Sequence, residues 1–195
     1  MSVINSIEII EKYYTPGTPL FTVLVEHSRQ VADLAVTIAH NLAARGEAVD
    51  VAFVGRAAML HDIGIVRVDA PSIHCTGSEP YICHGVLGRQ MLDELGLHDY
   101  ALVCERHTGA GITIADIDNQ QLPLPRRDMV PVSVEEQIVC YADKFYSKTH
   151  VGAPPRDVAT ARGKLERFGQ ATLARFDAMH ARFGAAAASI IACGV

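Results

Sequence analysis

The stretch Ala57-Ala58-Met59-Leu60-His61-Asp62-Ile63-Gly64 carries an imidazole and a carboxylate inside an apolar helical run. Ala57, Leu60 and Ile63 read as buried, so His61 and Asp62 stand near the end of a core-facing helix. An unpaired carboxylate in such a place costs several kcal/mol, and any fold of this chain must bring a cation or hydrogen-bond donors to it. A metal ion is one compensator. Taken alone, the dipeptide also fits a helix-terminal His with a capping Asp and a glycine just past the helix end. The other polar residues on buried faces decide between the two.

Four further residues of ligand type stand in helical contexts, His27, His84, His107 and Asp143. A helix is expected from about Leu20 to Ala44, with Val31, Leu34, Ala35, Ile38 and Leu42 on one stripe and Arg45-Gly46 at its end. His27, four residues before Val31, shares that stripe. Asp50 can cap the next helix, which leads into the His-Asp pair. His84 lies in the first turn of a helix running through Val86, Leu87 and Met91 to Gly96, and faces inward with Leu87. A short apolar helix over Tyr100 to Arg106 ends at His107, where Gly109 and Gly111 leave room for a ligand. The capping-box pattern Ser133-Val134-Glu135-Glu136 starts a helix whose Asp143 sits between Val139 and Tyr146 on the inner face. An inward Asp there is rare unless paired.

Four imidazoles and two carboxylates exceed what a structural tetrahedral zinc site uses, and they include no thiolate. The set suits a catalytic site for Fe, Mn or another ion that prefers nitrogen and oxygen, and two ions suit it better than one. In chain order the residues read H, HD, H, H, D. That order, with Ile63-Gly64 completing the HDIG form, resembles the HD-domain superfamily of metal-dependent phosphohydrolases, in the subset that binds two metals. The resemblance runs from about His27 to Asp143.

The resemblance implies an all-α helical bundle in which His27, His61, Asp62 and Asp143 hold a first divalent or mixed-valence ion. His84 and His107 would hold a second, with Asp62 bridging. It implies no organic cofactor, and hydrolysis of a phosphate ester or anhydride by a hydroxide shared between the ions. His61, Asp62 and Lys144 are the expected catalytic residues, and Lys144, Arg126 and Arg127 the candidates for holding substrate phosphate. Cyclic di-GMP hydrolases of the HD-GYP type usually carry a lysine after HDIG and a Gly-Tyr-Pro downstream. Ile65 and Gly111-Ile112-Thr113 stand in those places, which disfavours that branch. Arg106-His107-Thr108-Gly109 and Ile138-Val139-Cys140-Tyr141-Ala142-Asp143-Lys144 are similar to the small stand-alone HD hydrolases, some of which split dinucleotide polyphosphates. Two other readings use the same ligands, a di-iron oxygenase acting on a small organic substrate, with Tyr13 and Tyr14 near its centre, and a non-catalytic nucleotide sensor.

At 195 residues and 49% hydrophobic content the chain can bury one core, expected as a single HD domain with its metal core at about 20–150. A net charge of −5 with no basic stripe argues against general nucleic-acid or membrane-surface binding and leaves a small anionic substrate, such as a nucleotide, as the expected partner. Cys75, Cys83, Cys104, Cys140 and Cys193 form no CxxC pair, and Met1 to Tyr14 lacks the layout of a signal peptide, so a reducing cytoplasm is expected. A short first helix follows Asn5-Ser6-Ile7-Glu8, a second capping-box pattern. Val66 to Cys83, with Pro71, Gly77 and Pro80, reads as a loop and a candidate substrate rim, in which His74 and Cys75 are not fixed by any period. Residues 112–131 suggest a short helix and an irregular connection. His98-Asp99 repeats the His-Asp dipeptide out of order and is better explained by Asp99 capping a helix. Asp157 to Phe183 reads as one long amphipathic helix within a C-terminal extension at 157–195, packing on the bundle or joining two copies.

Overall fold

The computed structural model describes residues 4–191, so Cys193 and the last of the expected extension lie outside the described residues. The chain folds as a single all-α domain, with helices accompanied among the described residues by one two-stranded hairpin. Helix α1, Ser6–Ile10, is capped by Asn5, whose side chain accepts from the amides of Ile7 and Glu8. Helix α2, Pro19–Ala44, starts at Thr18, with Pro19 in its first turn, where a missing amide proton costs nothing. Its stripe of Val31, Leu34, Ala35, Ile38 and Leu42 is buried, as the spacing predicts.

Helix α3, Val51–Leu60, is capped by Asp50 and packs along α2. A five-residue 3-10 turn, Ile63–Arg67, carries the chain from His61-Asp62 into the hairpin of β1, Asp69–Ala70, and β2, Cys75–Thr76. That hairpin is the structure inside the expected loop; His74 is an exposed left-handed residue at its turn and Cys75 is buried. Helices α4, His84–Asp93, and α5, His98–Arg106, pack closely on each other, and the 3-10 turn lies against α4. Helix α6, Ile114–Gln120, has a full capping box between Thr113 and Asp116. Helix α7, Val134–Asp143, starts at Ser133 and packs on α2. At the two sites where the sequence suggested capping boxes the reciprocal half is absent: Glu8 accepts from the Asn5 side chain, and Glu136 is taken by Arg106.

The C-terminal extension departs from expectation. The single helix foreseen over 157–183 is broken into α8, Val158–Gly163, a 3-10 turn at Glu166–Phe168, and α9, Gln170–Ile191. Gly169, with φ of +93°, adopts a conformation that L side chains avoid and turns the chain between them. The apolar face of α9, with Leu173, Phe176, Met179 and Phe183 buried, is spent on α2 and α7 within the same chain. No described helix is long and apolar enough to cross a membrane. The described cysteines, Cys75, Cys83, Cys104 and Cys140, are free and buried.

Candidate metal centre

Five of the six ligand-type residues stand at helix ends that converge on one point. His61 and Asp62 follow the last residue of α3, His84 is the first of α4, His107 follows α5 and Asp143 is the last of α7. His27 reaches the same point from within α2. Two groups form with their ligand-type atoms within 4.8 Å of one another, His27, His61, Asp62 and Asp143 in one, and Asp62, His84 and His107 in the other. Asp62 belongs to both. Its Oδ2 lies 3.2 Å from His27 Nε2 and 3.0 Å from His61 Nε2, while its Oδ1 lies 3.4 Å from Nε2 of both His84 and His107.

The imidazoles are held with the same nitrogen forward. His61, His84 and His107 each donate Nδ1–H to the carbonyl three residues earlier, of Ala58, Tyr81 and Cys104, at 2.6, 2.7 and 2.8 Å. A carbonyl can only accept, so these bonds fix the proton on Nδ1 and leave a lone pair on each Nε2 of the neutral rings, as ligating histidines require. His84 Nε2 and His107 Nε2 then face each other at 3.1 Å, lone pair to lone pair, an arrangement that repels unless a cation lies between. His61 Nε2 and both oxygens of Asp62 are buried without a hydrogen-bond partner, despite the short distances around them. Ligand-type atoms crowded around a common point, with the Lys148 ammonium as the nearest lysine at 2.6 Å from Asp62 Oδ2, fit a divalent metal site.

The electrostatics divide the cluster. Burial works to lower the His61 pKa, but Asp62 and Asp143 outweigh it and hold it at about 9. Burial, with His107 and Lys148 alongside, drives His84 down to about 3, and burial also lowers His107. Burial works to raise the pKa values of Asp62 and Asp143, yet His61 and Lys148 at the first and Lys144 and Lys148 at the second leave both well below the usual carboxylate range. Metal binding at the His61 group should therefore displace about one proton at pH 7, while the His84–His107 pair has none to lose. Calorimetry of Mn(II) titrations in buffers of different ionisation heat measures this; zero proton release over the whole titration would contradict it. Without metal, the His61 contribution to stability is full below its unfolded value of 6.5 and is lost as pH rises through about 9.

The support of the centre explains the glycine of the HDIG stretch. Gly64 is absent from the left-handed glycines, so it is not the helix-ending residue of the simpler reading. A Cβ on it would meet the His84 carbonyl oxygen at 2.1 Å and the Gly88 amide nitrogen at 2.4 Å, because the 3-10 turn presses directly on α4. Tyr14 Oη donates to the Ile63 carbonyl at 2.6 Å and accepts from the Val66 amide at 3.0 Å, so it braces that turn. Tyr13 bonds the Met91 carbonyl. Neither hydroxyl is directed at the centre. The His107 loop is tied from α9, where Arg175 donates to the carbonyls of Ala110 and Gly111 and pairs with Asp116.

Of the expected phosphate-holding residues, Lys144 lies in the site, donating to Asp143 Oδ2 at 2.7 Å and to the His107 carbonyl at 3.1 Å. Arg126 pairs with Asp118 and Arg127 with Glu105, and neither lines the cleft above the centre. Lys148, not foreseen, places Nζ 2.6 Å from Asp62 Oδ2. No sequence period reveals it, because it follows the end of α7 by five residues in a 3-10 turn. The cleft encloses about 500 Å³ and is walled by Ser72 and Ile73 of the hairpin, Tyr81, Lys148 and the segment through Phe168.

His98-Asp99 lies elsewhere. Leu97, not Asp99, is the N-cap of α5; His98 bonds Asp93 and Asp99 is an exposed residue of the first turn. The expected cap is thus replaced by an acid near a helix N-terminus, and Asp99→Ala should cost only about 0.3–1 kcal/mol with metal content unchanged. Thermal unfolding and metal analysis of the variant check it, and loss of metal would overturn the placement.

A family model described as HD domain matches residues 24–147. An uncharacterized protein of Methanocaldococcus jannaschii is 39% identical over 123 residues, 63% of this chain and 65% of the relative. A tRNA (cytidine(56)-2'-O)-methyltransferase of Thermoplasma volcanium is 34% identical over 125 residues, 64% of this chain and 32% of that protein. The enzyme of the same name from Picrophilus torridus is 35% identical over 99 residues, 50% of this chain and 25% of its own length. The chain thus spans less than two thirds of each of these relatives. No solved structure matches it.

Proposed function

The chain belongs to the HD-domain family, and from that premise we propose that it is a metal-dependent phosphohydrolase cleaving a phosphate ester or anhydride of a nucleotide or similar small molecule. The observation that carries the reading is the shared carboxylate, Asp62, with one oxygen toward His27 and His61 and the other toward His84 and His107. Two divalent ions, with Fe or Mn suited to these ligands, supply a deprotonated water at neutral pH and charge neutralisation for a phosphoryl group when bound there.

The chain's own residues do the rest. His27, His61, Asp62 and Asp143 would hold one ion and Asp62, His84 and His107 the other. Lys148, at the floor of the cleft against Asp62, and Lys144, fixed by Asp143 and the His107 carbonyl, place two ammonium groups where phosphoryl oxygens arrive. Arg126 and Arg127 have no part in this reading. The methyl transfer named for two relatives is not carried over either, since this chain spans only a third or a quarter of their length.

The test is anaerobic turnover of a panel of phosphate monoesters, diesters and nucleotides by protein reconstituted with Mn(II) or Fe(II). Hydrolysis of any of these substrates without oxygen supports the proposal. A product formed only with oxygen would assign an oxygenase, and saturable nucleotide binding without turnover a sensor.

A further inference from the structure

We propose that the segment from Arg156 to Phe168 forms a second anion subsite, which selects substrates carrying at least one phosphate group beyond the one at the metal centre. The proposal rests on the phosphohydrolase reading of that centre. The cleft runs from His84, His107 and Asp143, past Lys144 and Lys148, to Arg156, Lys164, Arg167 and Phe168. Among its described lining residues Asp143 is the only acid, against five lysines and arginines, in a chain whose net charge is −5. Acids are plentiful elsewhere, so their absence from this wall is local.

The pairing pattern sharpens the point. Arg162, on the outward side of the same segment, is neutralised by Asp177 and Glu166. Lys144 and Lys148 pair with Asp143 and Asp62 at the centre, but the three cations further along the cleft are not neutralised: among the described residues no carboxylate pairs with Arg156, Lys164 or Arg167. Arg156 is fixed by donating to the carbonyls of Lys144 and Tyr146. The Arg167 guanidinium rests 4.6 Å from the centre of the Phe168 ring, which limits its freedom before any ligand arrives. Buried Ala161 and Leu165 anchor the segment, and the left-handed Gly169 ends it, so the turn stays against the cleft. Planar guanidinium groups and a mobile ammonium suit the oxygens of a further phosphate. All of these residues lie outside 24–147, so the subsite belongs to this chain's extension rather than to the matched HD segment.

The experiment compares binding of adenosine 5′-monophosphate and the non-hydrolysable α,β-methylene adenosine 5′-diphosphate to the Mn(II)-loaded protein by calorimetry. The ligand with the extra phosphoryl group should bind at least about tenfold tighter to the wild type, and within about twofold of the monophosphate in Lys164→Gln/Arg167→Gln, whose metal content stays at the wild-type level. Arg162→Gln, facing away, should keep the wild-type ratio. No preference in the wild type, or a preference that survives in the double variant, overturns the subsite. A preference lost in the double variant, in a protein that hydrolyses no phosphate substrate, would uphold the subsite and refute the phosphohydrolase reading alone.

Discussion

Asp62→Ala should empty the centre of both metals and lower phosphate release by at least about 10³-fold, the equivalent of ~4 kcal/mol of transition-state stabilisation. Asp62 is the residue common to both ligand groups. Without it, one group keeps His27, His61 and Asp143 and the other only His84 and His107, two imidazoles with no anion to balance a divalent charge. The variant should still fold. The carboxylate is fully buried, but the Lys148 ammonium it faces lines the cleft and His61 keeps Asp143 at 3.5 Å, so neither cation loses every partner. Metal analysis, phosphate release and a far-ultraviolet circular dichroism spectrum check the three parts. Retention of one ion with substantial activity would show that Asp62 serves a single site.

The largest loss of stability is expected from Gly64→Ala. The added methyl would lie 2.1 Å from the His84 carbonyl oxygen and 2.4 Å from the Gly88 amide nitrogen, both backbone atoms that cannot rotate away. Relief requires the 3-10 turn and α4 to separate, which opens the contact between His61-Asp62 and His84. A cost of about 3–5 kcal/mol follows, at the upper end of what overpacking produces, together with weaker metal retention. Denaturant unfolding of the metal-free and Mn(II)-loaded variant measures both. A loss below about 1 kcal/mol would mean that the two elements are not held together there.

The helices were legible where apolar period and cap agreed, as at Asp50 for α3 and Ser133 for α7. The centre was legible because each of its polar residues interrupts an apolar face, a pattern that survives without knowledge of contacts. What failed did so for local reasons. Asp99 has the chemistry of a cap, yet Leu97 takes the position because α5 begins at His98, two residues before a helix capped by Asp99 would. The amphipathic pattern over 157–183 crosses Gly163 and Gly169, and its period continues through a break that a positive φ at Gly169 imposes. Arg126 and Arg127 look like phosphate ligands by charge alone, whereas Asp118 and Glu105 claim them through pairings eight and twenty-two residues distant. Lys148 is reached only through the fold, since nothing periodic joins it to Asp62.

The central claim is a pair of metal ions bridged by Asp62, and electron paramagnetic resonance during titration of the metal-free protein with Mn(II) tests it most directly. The account predicts uptake of two ions per chain and the broadened, exchange-coupled spectrum of neighbouring Mn(II) ions, replaced in Asp62→Ala by the six-line signal of free Mn(II). Saturation at one ion per chain with an uncoupled spectrum would contradict it.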